Sequence, residues 1–122
     1  MAKITKKQIL EAAKPKTVVH EVEEWGGEVN IKLLKMSERI EIEERFLASL
    51  PGDDGQKQIK SKDMQTLYAL VTVEALVDDD GKPLFETTSE LYNLAGPIQK
   101  IVADIFMIAA GSKEAKKSNT DS

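Results

Sequence analysis

The sequence predicts an α+β fold: a small, mainly helical domain with one β-hairpin near its N-terminus. Two observations carry this reading. From Thr17 to Leu33, apolar and polar residues alternate on both sides of Trp25-Gly26-Gly27, the period of two strands with one dry face. Elsewhere, long segments place their apolar residues about 100° apart, the period of helices packed on one side. At 122 residues the chain is most simply one domain, assigned to residues 1–110 with a disordered tail at 111–122.

Thr5 to Ala13 is expected to open the chain as a short helix. Thr5 and Gln8 have the spacing of a capping box, Ile9, Leu10 and Ala13 form a small apolar side, and Pro15 ends the segment. In the hairpin, Val18, His20 and Val22 share one face, and Val29, Ile31 and Leu33 continue it on the second arm. The paired glycines of the turn are read as the source of the positive φ angles that a tight hairpin needs. Ser37 is expected to cap a second helix, with Glu38 in its first turn. That helix runs to about Leu50 with Met36, Ile40, Ile42, Phe46, Leu47 and Leu50 on its apolar side, and Arg39 and Glu43 are spaced to pair at its edge.

Pro51 to Gln56 has the composition of a loop, and Lys57 to Lys62 continues it as a mostly polar run. Ser61 is the expected cap of the next helix. Leu67 to Val77 is apolar on most sides, as in a central buried helix; Val71-Thr72-Val73 keeps a strand open as the alternative. Asp78 to Phe85 breaks the pattern. Three consecutive carboxylates suggest calcium, but an EF-hand loop with Gly81 at its sixth position would start at Leu76 and close at Thr87, neither of them a carboxylate. A turn is the expected structure. Thr87 and Glu90 suggest a capping box for a short helix, and Gly96-Pro97 separates it from a last helix. Ile98, Ile101, Val102, Ile105, Phe106, Ile108 and Ala109 give that helix a broad apolar face before Gly111 ends it.

Composition excludes several functions. The net charge is −4 and no Lys/Arg cluster is interleaved with aromatics, so no nucleic-acid footprint is present. With no cysteine, disulfides, thiolate metal sites and thiol nucleophiles are all excluded. No run approaches membrane-spanning length, and a cytoplasmic protein is the expectation. His20 is the single histidine and reads as a strand residue rather than a base or ligand. Glu21, Glu23, Glu24 and Glu28 cluster at the hairpin tip, where carboxylates face water and discourage stray strand pairing. No phosphate-binding loop, nucleophile elbow or metal-ligand spacing occurs, so neither an enzyme nor a cofactor is expected. Apolar surface is the remaining resource. Candidate partner-binding residues are Trp25 at the hairpin tip, Arg39, Phe46 and Leu50 on the second helix, and Ile98, Ile101 and Ile105 on the last.

In order along the chain come a short helix, Val22-Glu23-Glu24-Trp25-Gly26-Gly27-Glu28-Val29, and Leu34 with Ser37-Glu38-Arg39 opening a helix. An apolar helix, Asp80-Gly81-Lys82-Pro83-Leu84-Phe85 and a final amphipathic helix with a charged tail complete it. This order resembles the tail assembly chaperones of long-tailed bacteriophages, from about Ile9 to Ala110. The resemblance implies a small α+β protein of the host bacterial cytoplasm, absent from the mature virion. It implies that the protein binds the tape measure protein, keeps it soluble and helps recruit tail tube protein. A helix-in-groove mode would use the apolar helices. Several copies along one partner would gain avidity, and a homo-oligomer is compatible with that arrangement. The resemblance also implies a programmed frameshift, for which the codons of Ala115-Lys116-Lys117 are a candidate. The alternative is a structural head–tail connector or tail terminator subunit, which would remain in the particle.

Overall fold

The computed structural model describes residues 3–50 and 59–116. Strands β1 (Thr17–Val22) and β2 (Gly27–Lys32) pair antiparallel, with Val18 opposite Ile31 and His20 opposite Val29. The predicted dry face is real: Val22, His20 and Ile31 are buried, and Val18, Val29 and Leu33 pack against the core. The turn differs from the paired-glycine expectation. Glu23–Trp25 forms one turn of 3₁₀ helix, and Gly26 alone takes a left-handed φ of 73° while its N–H bonds to the Glu23 carbonyl at 3.0 Å. Gly27 already belongs to β2, so a single residue without a Cβ satisfies the turn.

Helix α1 (Lys6–Ala12) begins with the expected capping box. The Gln8 N–H donates to the Thr5 hydroxyl at 3.2 Å and the Thr5 N–H to the Gln8 side-chain oxygen at 2.8 Å. None of its side chains is buried. Helix α2 (Met36–Ser49) starts one residue before the expected Ser37 cap. The Glu38 carboxylate accepts the Lys35 N–H at 2.9 Å, so a side chain inside the first turn closes the end instead of a cap hydroxyl. Helix α3 (Ser61–Ala75) repeats this device: Asp63 accepts the Lys60 N–H at 2.9 Å, and Ser61 lies inside the helix. The expected loop at Pro51–Gln56 falls outside the described residues, as do the first residues of the polar run after it.

The largest departure follows α3. The apolar run was expected to stay helical to Val77, with a strand at Val71–Val73 as the alternative. Instead the helix ends at Ala75, and Leu76–Val77 forms β3, which pairs with β2 through Leu76 opposite Ile31 and Val77 opposite Asn30. The sheet order is β1-β2-β3. The open edge of β2 decides between helix and strand here, and an apolar pattern does not report it. The Asp78–Lys82 turn then folds back, with the Leu84 N–H bonded to the Leu76 carbonyl at 3.0 Å. Helix α4 (Thr88–Tyr92) has Thr87 at its N-cap position but no side-chain cap bond, so the expected box does not form. Helix α5 (Ile98–Ala109) ends as expected at Gly111. There φ is 79°, and the Ser112 and Gly111 N–H groups cap the Met107 and Ile108 carbonyls at 2.8 and 3.0 Å.

The core lies between the sheet's dry face and the helices. Ile42 and Phe46 of α2, Leu50 just past its end, Val71 and Ala75 of α3, and Ile101, Ile105 and Ile108 of α5 belong to one buried cluster with Val22, Ile31 and Leu76. Thr72, fully buried in mid-helix, donates its hydroxyl to the Tyr68 carbonyl at 2.8 Å, with the Val102 carbonyl of α5 at 3.4 Å. Lys32 joins three elements, reaching Glu38 of α2 at 2.9 Å and Glu74 of α3 at 3.5 Å. Burial works against the Lys32 charge, but the bonds and charges of the two glutamates outweigh it and raise its pKa. Burial likewise works against the Glu38 charge, and the Lys35 N–H and Lys32 reverse the balance, holding its pKa below 4.5.

Beyond Gly111, residues 112–116 run beside β1. The Glu21 N–H donates to the Lys116 carbonyl at 2.7 Å, the Lys116 N–H donates to His20 Nδ1 at 2.9 Å, and Ala115 packs on the core. Residues 117–122 lie outside the described residues.

Two outcomes test this framework by urea denaturation. Ile31→Ala removes a side chain with no exposed surface and is expected to lower stability by about 2–5 kcal/mol. Because the Glu38 pKa is lowered on folding, its contribution is complete above pH 4.5 and is lost as pH falls through the folded value. Glu38→Gln should therefore flatten the acid limb of the stability curve.

Candidate partner-binding surface

A helix sorts its residues by angle, and α2 carries two apolar stripes. Ile42, Phe46 and Leu50 form the buried one. Met36, Ile40 and Leu47 form the other, centred roughly 120° round the helix from Ile42 and Phe46, with Glu43 beside it. That second stripe is in water: Met36 is 79% exposed, Ile40 47% and Leu47 43%. All were grouped in sequence as one core-facing side. The angular offset of Met36, Ile40 and Leu47 from Ile42 and Phe46 was the signal available. At its N-terminal end the stripe borders a cleft of about 370 Å³ lined by Leu34, Met36, Arg39, Ile40, Glu43 and Ala110. Arg39 sits there and pairs with Glu43 at 3.7 Å, as the spacing predicted. Both side chains are well exposed, so the pair is worth only a few tenths of a kcal/mol, about the usual value for such helix pairs.

The other candidate residues divide the same way. Trp25 stands at the hairpin tip with 38% of its surface exposed. The tip is tied to α5 by Lys100 and Glu24 at 3.6 Å. Ile98 is half-buried and lines a cleft of about 490 Å³ with Tyr92, Leu94 and Pro97 between α4 and α5. Phe46, Leu50, Ile101 and Ile105 are at most 7% exposed. They belong to the core cluster, where these faces close onto the sheet and onto α3. The structure therefore brings Arg39 together with Met36, Ile40 and Leu47, which sequence reasoning did not single out, and leaves Trp25 and Ile98 at separate places. Ile9 and Leu10 of α1 are also exposed, at 49% and 61%.

The polar clusters have local duties. Asp78 accepts the N–H groups of Asp80 and Lys82 at 2.8 and 3.0 Å, and Asp79 accepts the Asn30 side-chain amide at 2.8 Å, fastening the turn to β2. Glu23 is paired with Lys116, which holds its pKa down and raises that of the lysine. His20 is buried, and its pKa is lowered chiefly by loss of solvent. Among the described residues no group of three or more His, Asp or Glu is placed to hold a metal ion, and no described helix is long and apolar enough to cross a membrane.

Comparison with known proteins adds one finding. The fold is similar to that of the solved tail assembly chaperone of bacteriophage HK97, with a TM-score of 0.52 over 91% of this chain and 99% of that one, at 14% sequence identity. No family model matches the sequence, and no curated protein does. At that identity the likeness is one of fold.

The division of α2 is directly testable by thermal and urea unfolding. Ile40→Ser and Leu47→Ser, on the half-exposed stripe, should each cost no more than about 1.5 kcal/mol. Phe46→Ala should cost about 3–5 kcal/mol.

Proposed function

We propose that this protein is a phage tail assembly chaperone and not an enzyme. It binds the tape measure protein, keeps that long chain soluble, and helps recruit tail tube protein, acting in the host bacterial cytoplasm and leaving before the virion is complete. The observation that carries the reading is the near end-to-end likeness to the HK97 tail assembly chaperone. The surface is compatible with it. A protein that shields apolar helical stripes needs apolar side chains of its own in water, and Met36, Ile40 and Leu47 supply them in one line on a rigid helix. Trp25 and Ile98 are further contacts in this proposal, and Arg39 flanks Met36 and Ile40.

Co-expression with the tape measure protein of the same phage tests the proposal. The expected result is a soluble complex containing several copies of this chain. A variant carrying Ile40→Ser and Leu47→Ser should remain folded and lose at least tenfold in affinity, consistent with about 1.4 kcal/mol or more removed from the contact. A tape measure protein that stays insoluble beside abundant, folded wild-type chain would overturn the proposal.

A further inference from the structure

Among the described residues, the outer edge of β1 is covered at one end only. Lys16 accepts the Leu33 N–H at 2.9 Å, which places Lys16, Val18, His20 and Val22 in bonding register with the β2 side. By the alternation of an antiparallel strand, the N–H and C=O groups of Thr17, Val19 and Glu21 then point away from the sheet. Glu21 uses its outward N–H on the Lys116 carbonyl at 2.7 Å. Alongside Val18 and Val19 the chain at Lys113–Ala115 stands off, leaving a groove of about 880 Å³ that Leu33 and Ile108 also line. Residues 112–116 therefore form a strap running beside β1 and fastened near its end.

The fastening depends on one ring nitrogen. The Lys116 N–H donates to His20 Nδ1 at 2.9 Å, so Nδ1 carries a lone pair and the ring proton is on Nε2. A second proton would occupy that nitrogen and set two donors against each other. The groups facing the ring are Asp104 and Lys100 from α5, Lys113 and Lys116 from the strap, and Glu21, Glu23 and Glu24 from β1 and the turn. Loss of solvent favours the neutral ring most, Lys113 and Lys116 add to this, and Asp104 and Glu21 oppose it. The other ties are an ion pair between Lys116 and Glu23, whose carboxylate stays charged below 4.5, and one between Lys113 and Asp104 at 2.9 Å.

We propose that residues 112–116 are a pH-sensitive strap whose catch is the Lys116 N–H bond to neutral His20, and that protonating His20 releases the strap and uncovers the whole outer edge of β1. The sign follows from the ring's environment. The neutral form is favoured on folding, so the catch is closed above 6.5 and opens as pH falls below it through the lowered folded value. The uncovered edge would present outward backbone groups from Thr17 to Glu21, the geometry to which an extended segment adds.

Backbone amide hydrogen exchange on the full chain, corrected for intrinsic rates and followed from about pH 7.5 to about pH 4.5, tests this. Protection of the Glu21 and Lys116 amides is expected to fall at least tenfold across that range while the Ile31 amide keeps its protection. His20→Gln, which retains an acceptor that does not titrate, should hold the strap at both ends of the range, and His20→Phe should lose it at both. Unchanged Glu21 protection in the wild type would overturn the proposal. So would an equal fall in His20→Gln, or a fall in step with Ile31 that marks global unfolding.

Discussion

The pairing of Ile31 with Leu76 is the constraint on which the rest of the structure depends. Ile31 has no exposed surface and sits on the middle strand, with Val18 opposite on one side and Leu76 on the other. Leu76 follows Ala75 directly, so α3 passes into β3 with no intervening loop. Pairing those two residues therefore fixes where α3 leaves the sheet, and α3 provides the buried side on which α5 packs. The far end of α5 returns to the same place, because the Leu34 N–H just beyond β2 bonds to the Ala109 carbonyl at 3.0 Å. Burying a side chain such as Ile31 is worth about 1.5–3 kcal/mol, so few such positions can be lost from a domain of this size.

Range explains part of what the sequence reveals and hides, although the Ser37 and Ser61 caps and the Thr87 box are local readings that also missed. The α1 capping box, the hairpin's alternation and the Gly111 stop are set by residues within a few positions of one another, and each forms where expected. Leu76 and Val77 leave the helix because β2 has an open edge, a partner some forty-five residues earlier in the chain. The residues past Gly111 look like a polar tail until His20 and Glu21 offer an acceptor and a donor. Helix α2 is the instructive intermediate case. Its period was legible, but a wide apolar arc does not state which part of it the core takes, and the core took Ile42 and Phe46 while leaving Ile40 and Leu47 outside. Phe46 and Leu50 were thus chosen from the buried side of the arc.

That division bears on function. A helix with one stripe in the core is held rigid by it, and its second stripe is then displayed at fixed geometry with little ordering left to do on binding. The exposed Met36 adds an adaptable side chain at one end of the stripe, suited to partners whose apolar residues vary along their length. The same reasoning separates α2 from α1, whose exposed Ile9 and Leu10 have no buried counterpart to anchor them. The polar end of the molecule, where the strap meets β1, is built on directional bonds instead and responds to a different variable.

The central claim is that the protein assists assembly and then leaves. Quantitative mass spectrometry of purified virions, with the infected-cell lysate as reference, tests it most directly. The account predicts the chain to be abundant in the lysate and absent from the particle, at less than one copy per virion. A fixed stoichiometric ring of copies in the mature particle would contradict it and make the protein a structural subunit of the tail or its connector.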